Sequence, residues 1–282
     1  MSDTLRELIR RASERLATRG IETAALDARL LLQAAASLRH EEIVAEPDLV
    51  VPPDVATRFW SLIERRCKFE PVSRILGTRE FYGRNFRVTP DVLDPRADTE
   101  TLIGAALALA KGKGRLRILD LGTGSGAIVV TLLAELPGTA AVASDLSAAA
   151  LEVAKGNAEA LGVANRASFV QANWFDGVDG QFDLIVSNPP YIPLGDFAGL
   201  AADVREFDPP KALDGGPDGL EAYRRIASGA VGSMAPKAHV LVEIGAGQEK
   251  MVNELFRGQG FVRENRYFDL AGHVRCLVFN RP

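Results

Sequence analysis

Over the first 70 residues, apolar side chains recur at spacings of three and four: Leu5, Leu8 and Ile9, then Leu16, then Leu26, Leu30 and Leu31, and later Val55, Phe59, Leu62 and Ile63. That period belongs to amphipathic helices. Breaks at Gly20, around Pro47 and at Pro52-Pro53 predict a small bundle of four or five of them. From Pro71 the pattern changes. Phe81-Tyr82-Gly83-Arg84-Asn85-Phe86 predicts two short strands around a Gly/Asn turn, a β-hairpin linker. Residues 100–110 then predict an apolar helix, after which short apolar runs alternate with helical periods, the pattern of a parallel α/β sheet. The predicted strands cover residues 116–121, 140–145, 167–173, 182–188 and 239–244. Two more, 261–269 and 274–280, leave no room for a helix between them and are expected to pair antiparallel. There is no internal repeat, and residues 208–219 form the one Pro/Gly-rich loop.

A chain of 282 residues, 47% hydrophobic and 25% charged, has room for one large domain and a small partner. The expected division is a helical domain over 1–70, the hairpin linker over 71–95 and an α/β domain over 96–282. A formal net charge of −4 argues against a dedicated nucleic-acid binder, which needs a broad basic face to neutralise phosphates. No nucleic-acid partner is therefore expected; a protein or small molecule is. Cys67 and Cys276, the two cysteines, have no ligand spacing, so neither a disulfide framework nor a metal site is predicted. The N-terminal stretch lacks the apolar core of a signal peptide. No apolar run approaches the roughly 18 residues of a membrane span. A reduced, cytoplasmic protein without a membrane partner is the expectation.

The first strand of the α/β region runs into Asp120-Leu121-Gly122-Thr123-Gly124-Ser125-Gly126-Ala127 and then a helical stretch, 128–136. Glycines let the backbone turn sharply and approach a ligand, and the helix N-terminus behind them offers free N–H groups. Asp145 ends the next strand, where an acid that binds ribose belongs. Together these point to a nucleoside-bearing ligand and leave NAD and S-adenosyl-L-methionine open. Asp120 favours the second, because a carboxylate attracts an ammonium or sulfonium and repels a pyrophosphate. Trp174 follows the third strand, where it can cover an adenine or pack the sheet edge.

The fourth strand ends in Asn188-Pro189-Pro190-Tyr191. Two prolines stop a strand, and Asn188 is thereby extended at the C-terminal end of the sheet, beside the glycine loop. The Asn188 side-chain oxygen and the Pro189 carbonyl are two acceptors that can take both hydrogens of an NH₂ group and aim its lone pair. Tyr191 is expected to wall a planar amide or base. Such a group reacts through orientation, and no histidine lies nearby in the chain: His40, His239 and His273 are scattered.

With Asp120 to Gly126, Asp145, Trp174 and Asn188 to Tyr191 in these positions, the chain resembles the amino-methyltransferases that use S-adenosyl-L-methionine. More narrowly it resembles the HemK/PrmC-type protein-(glutamine-N5) methyltransferases of peptide chain release factors. The similarity extends over nearly the whole length, including Pro95-Arg96 and Thr99-Glu100 in the linker and the run from Asp203 to Leu220. It implies a Rossmann-like, seven-stranded class I methyltransferase domain, mostly parallel with the last strand antiparallel. It also implies a cofactor held by Asp120, Gly122, Thr123, Gly124, Ser125, Gly126, Asp145, Trp174 and Asn188, with Asn188, Pro189, Pro190 and Tyr191 on the substrate glutamine. Asn188, Pro189 and Tyr191 are the catalytic candidates it implies. The implied substrate is the GGQ loop of class I release factors, with the helical domain helping to dock it. The alternative is an N-methyltransferase acting on a ribosomal-protein glutamine or a nucleic-acid amino group. Ala97 and Asn173 depart from the family pattern, which usually has Pro and often Asp there.

Overall fold

In the computed structural model, which describes residues 3–282, the first helix is started by its own side chains. The Thr4 hydroxyl accepts the Glu7 N–H at 3.3 Å while the Glu7 carboxylate accepts the Thr4 N–H at 3.0 Å. This reciprocal cap opens α1 (Leu5–Ala17), and α2 (Ala24–Ala36), α3 (His40–Ala45), α4 (Pro53–Arg66) and α5 (Val72–Leu76) follow. Leu8, Leu16, Leu31, Leu32, Phe59 and Ile63 form their common core. The apolar spacing misplaces the inner face of α2: Leu26 and Leu30 are 51% and 36% exposed, and Ala24, Ala28 and Ala35 point inward instead. A helix apolar on most sides carries little phase information, and small residues mark the face that packs close. Asp27 is buried there, neutralised by Arg66 Nε at 2.7 Å. Helix α5 occupies the beginning of the stretch expected to be linker, and Gly77, at φ 70°, ends it.

β1 (Thr78–Phe81) and β2 (Arg84–Arg87) form the expected hairpin. Both turn residues, Tyr82 (φ 51°) and Gly83 (φ 69°), are left-handed, the requirement of a tight turn that follows the strand twist. After a 3₁₀ turn over Ala97–Thr99 comes α6 (Glu100–Ala110). The sheet is built from β3 (Arg117–Leu121), β4 (Ala140–Asp145), β5 (Ala167–Gln171), β6 (Phe182–Ser187), β7 (Met234–Glu243), β8 (Val262–Phe268) and β9 (Val274–Asn280), in the order β5-β4-β3-β6-β7-β9-β8. β3 to β7 are parallel, and β9 runs antiparallel to β7 and β8 between them. The remaining helices are α7 (Ala127–Glu135), α8 (Ala148–Ala160), α9 (Ala202–Phe207), α10 (Glu221–Ser233) and α11 (Glu249–Gly258).

Alternation along the strands separates two apolar layers. Ile118, Leu184, Val186 and Leu241 pack with α6 and α7 on one face, and Leu119, Ile185, Val240 and Val242 pack with α10 and α11 on the other. β7 starts five residues earlier than the apolar run suggested. Its pairing with β6 jumps from Met234 opposite Phe182 to His239 opposite Leu184, so the residues around Pro236 and the left-handed Lys237 bulge out of the ladder. Chain order reverses between β3 and β6, and in an open parallel sheet that switch point opens a crevice at the strands' C-terminal ends. Among the described residues no helix is long and apolar enough to cross a membrane. By contacts the chain divides into two units, one up to Thr78 with Ala201–Phe207, the other Arg79–Leu200 with Asp208–Pro282.

Candidate active site

At that switch point a cavity of about 660 Å³ opens. Its floor is the turn after β3. The N–H groups of Gly122 and Thr123 both donate to the Ser144 carbonyl at 2.9 Å, which fixes the loop to β4. A side chain built on Gly122 (φ 69°) or Gly124 (φ 55°) meets no protein atom, so these positions keep the backbone open to a ligand. Gly126 (φ 79°) is different: a Cβ there would lie 3.0 Å from the Ala154 Cβ, and this glycine lets α7 pack against α8. Asp145 reaches in from the end of β4, accepting the Gly124 N–H and the Ser147 N–H at 2.9 Å each. Each carboxylate oxygen keeps a lone pair for a ligand hydroxyl. Trp174, left-handed at φ 59°, lines the cavity after β5, as does Asn173. Open glycine positions, an acceptor carboxylate and an aromatic face are the features an adenosyl group requires.

From the end of β6, Asn188 and Pro190 enter the same cavity. Asn188 Nδ2 donates to Thr99 Oγ1 at 3.1 Å. Among the described residues no protein donor engages its Oδ1, which is left as an acceptor. The facing wall comes from the linker and from residues 209–212, joined where Arg96 Nη2 meets the buried Asp208 carboxylate at 2.5 Å. Thr99 and Arg96 belong to the site through this wall, and neither is visible in chemistry read from the strand ends alone. The signal available was the run Pro95-Arg96-Ala97-Asp98-Thr99-Glu100 between hairpin and helix.

Gly122, Thr123, Gly124, Ser125, Asp145, Trp174, Asn188 and Pro190 are thus brought together, while four other expected site residues stand outside the cavity lining. Asp120 is fully buried under the glycine loop, where its carboxylate accepts the Thr123 hydroxyl at 2.6 Å. Burial pushes its pKa up to about 7, against the Thr123 hydroxyl and the Val129 backbone N–H. Its hydrogen bond from Thr123 ties the glycine loop to the end of β3, and it stands outside the cavity lining. Gly126 packs helices, as described. Pro189 is buried. Tyr191 does not wall the cavity: its ring packs on the apolar layer beneath the sheet, and burial raises its pKa to about 12.

The Tyr191 backbone is seated by residues far along the chain. Gln248 Nε2 donates to the Tyr191 carbonyl at 3.0 Å, and Gln248 Oε1 accepts the Gly245 N–H at 2.9 Å. The loop after β6 and the 213–215 strip exchange backbone hydrogen bonds: Ile192 N–H to Leu213 O at 3.0 Å and Gly215 N–H to Ile192 O at 2.9 Å. Side chains on Gly215 or Gly219 would collide with Tyr191 backbone atoms at 2.8 and 2.5 Å, and one on Gly245 would press on the Tyr191 ring at 3.0 Å. The Pro/Gly-rich loop is the socket of the Asn-Pro-Pro-Tyr turn.

Residues 7–77 match the PrmC N-terminal domain and residues 99–197 the methyltransferase small domain. A release factor glutamine methyltransferase from Cereibacter sphaeroides is 45% identical, the match covering 98% of each chain. One from Moorella thermoacetica is 41% identical over 99% of each. A bifunctional methyltransferase of Rickettsia felis is 35% identical over 99% of this chain and 58% of its own length. Among solved structures, the hMettl16 catalytic domain in complex with an RNA hairpin aligns at a TM-score of 0.57 and 17% identity, covering 81% of this chain and 84% of that one. A ribosomal protein L11 methylase from Lactobacillus delbrueckii aligns at 0.51 and 19%, covering 72% and 88%. The solved structures share the fold, and the full-length relatives go further: the chain belongs to the release factor glutamine methyltransferases, a family of enzymes dependent on S-adenosyl-L-methionine.

Proposed function

We propose that this protein transfers the methyl group of S-adenosyl-L-methionine to the side-chain amide nitrogen of the glutamine in the GGQ motif of class I peptide chain release factors. The observation that carries the reading is Asn188: its Nδ2 is spent on Thr99, and its Oδ1 is free in the cavity that contains Gly122, Gly124 and Asp145. When bound, the cofactor supplies an electrophilic methyl on a cationic sulfonium. Gly122 to Ser125 would follow its backbone-facing side, Asp145 its ribose and Trp174 its base. Asn188 Oδ1, which lines the cavity, would accept an N–H hydrogen of the glutamine amide. An amide lone pair is delocalised into its carbonyl, so the protein's contribution is to hold the nitrogen in line, and orientation of that kind is worth on the order of 7–11 kcal/mol. The two prolines suit this task, because their rings fix the direction of the turn and they bring no competing N–H. The helical N-terminal domain would help dock the release factor.

The test is direct. Purified protein, labelled cofactor and a class I release factor are incubated, and the transfer is repeated with Gln→Ala in the GGQ loop. Label is expected on the unchanged release factor and absent from the variant; label that persists on the variant would sink the substrate assignment.

A further inference from the structure

Asn188 can serve as an acceptor only if its amide does not rotate by 180° and present Nδ2 to the cavity. The Thr99 hydroxyl alone does not prevent this, because a hydroxyl both donates and accepts. Behind the pair stands Glu243, the last residue of β7, 1% exposed and outside the cavity lining. The register of β6 on β7, with Ser187 opposite Val242, sets Glu243 beside Asn188. Thr99 and Asn188 are near enough to lower its pKa as donors, and its Oε2 is buried without a hydrogen-bond partner. We infer that Glu243 is a positioning residue for methyl transfer: its carboxylate, by accepting from Thr99 and Asn188, sets the Asn188 amide with Oδ1 toward the substrate.

An ionised carboxylate only accepts, so every polar atom turned toward it must donate. Asn188 therefore presents Nδ2 to the interior, giving one hydrogen to Thr99 Oγ1 at 3.1 Å, and Thr99 can pass its own hydrogen to Glu243. Oδ1 is then the atom left for the cavity. A protonated Glu243 is itself a donor and no longer distinguishes the two faces of the amide. Burial is the largest influence on Glu243 and holds its pKa up to about 7, opposed by Thr99, by the Arg275 charge and by Asn188, with Asp98 acting in the raising direction. The other groups that face it are Tyr191 after β6, Tyr223 on α10 and Cys276 on β9, all neutral in this range. Arg275 is itself held by Asp98 at 3.1 Å and Asp269 at 2.9 Å. The active form is the ionised one, so turnover is lost as pH falls through the pKa of Glu243.

This inference rests on the proposed glutamine transfer, and the experiment separates the two. The full-length protein, its Glu243→Gln and its Glu243→Asp variants are assayed with labelled cofactor and a class I release factor across pH 5.5–9 at saturating concentrations, with cofactor affinity measured by calorimetry. In the unchanged protein kcat should fall about tenfold per pH unit below about 7. The Gln variant should show kcat at least ~10-fold lower at pH 8 and no inflection, with cofactor Kd within about threefold. The Asp variant should recover the inflection. Asp120 titrates in the same range, but it lies under the cofactor loop, so its effect should appear in cofactor affinity and be removed at saturation. An unchanged protein that labels no release factor would overturn both readings. An active protein whose Gln variant keeps kcat and the same inflection would overturn the role of Glu243 alone.

Discussion

At the scale of single residues, Asn188 and Asp120 make separate predictions, the first for turnover and the second for stability. Asn188→Ala removes the proposed acceptor from the cavity without touching the glycine loop. Turnover should fall about 10²–10³-fold while cofactor affinity, by calorimetry, changes little; near-normal turnover would refute the assignment. Asp120 bears on stability. Its folded pKa is raised from 3.8 to about 7, so the folded state binds the proton more tightly than the unfolded chain. The resulting stabilisation is full at low pH and lost as pH rises toward about 7, at roughly 1.4 kcal/mol for each pH unit that separates the folded and unfolded values. Melting temperatures of the unchanged protein and Asp120→Asn, compared from pH 4 to pH 8, should therefore diverge, with the unchanged protein losing ground as pH rises. A difference that does not vary with pH would contradict this. The sequence signals both residues by type and position, but not their direction. Its pattern places Asp120 against the ligand's positive charge, and packing turns it inward under Thr123.

Elements differ in how their glycines are used, and substitution should expose that difference. Gly124→Ala places a methyl in open space where the donor is proposed to lie, so it should weaken cofactor binding at least ~10-fold; its stability loss should be about 1 kcal/mol, from the left-handed backbone. Gly126→Ala drives a methyl to 3.0 Å from Ala154 Cβ and 3.2 Å from its Cα. About 1–3 kcal/mol of unfolding free energy should be lost there, read from the urea midpoint. The reverse ranking in stability would show that α7 and α8 do not depend on that approach. Gly219→Ala would put a methyl 2.5 Å from the Tyr191 carbonyl and disturb the Gln248 contact at 3.0 Å. The Asn-Pro-Pro-Tyr turn would shift with it, and turnover should fall at least ~10-fold at nearly constant cofactor Kd. Unaltered turnover would mean that the socket does not set the turn. None of this could be read locally. Gly215, Gly219, Gly245 and Gln248 lie 24 to 57 residues after Tyr191, and only the approach of α10, β7 and α11 to the end of β6 brings them together.

For the whole molecule, the helical unit and the sheet unit should be separable by measurement. Phe59 is fully buried in the helical core, and Phe59→Ala should destabilise that unit by about 3–5 kcal/mol. If that unit docks the release factor, KM for the release factor should rise while cofactor affinity stays; a parallel loss of both would argue against the division of labour. Periodicity, two prolines after a strand and glycines before a helix determined the order of the main elements, the stop of β6 and the residues able to meet a nucleoside and an amide, because those signals are local and governed by backbone sterics. Only the tertiary structure decided which of those residues face the cavity. Tyr191 and Asp120 turn away, and Thr99, Arg96, Glu243 and Gln248 enter the site or its support from distant segments. Such choices depend on burial and on contacts between residues far apart in the chain. The inner face of α2 was settled in the same way, where alanines displaced Leu26 and Leu30 because close packing, and not hydrophobicity alone, selects the buried side.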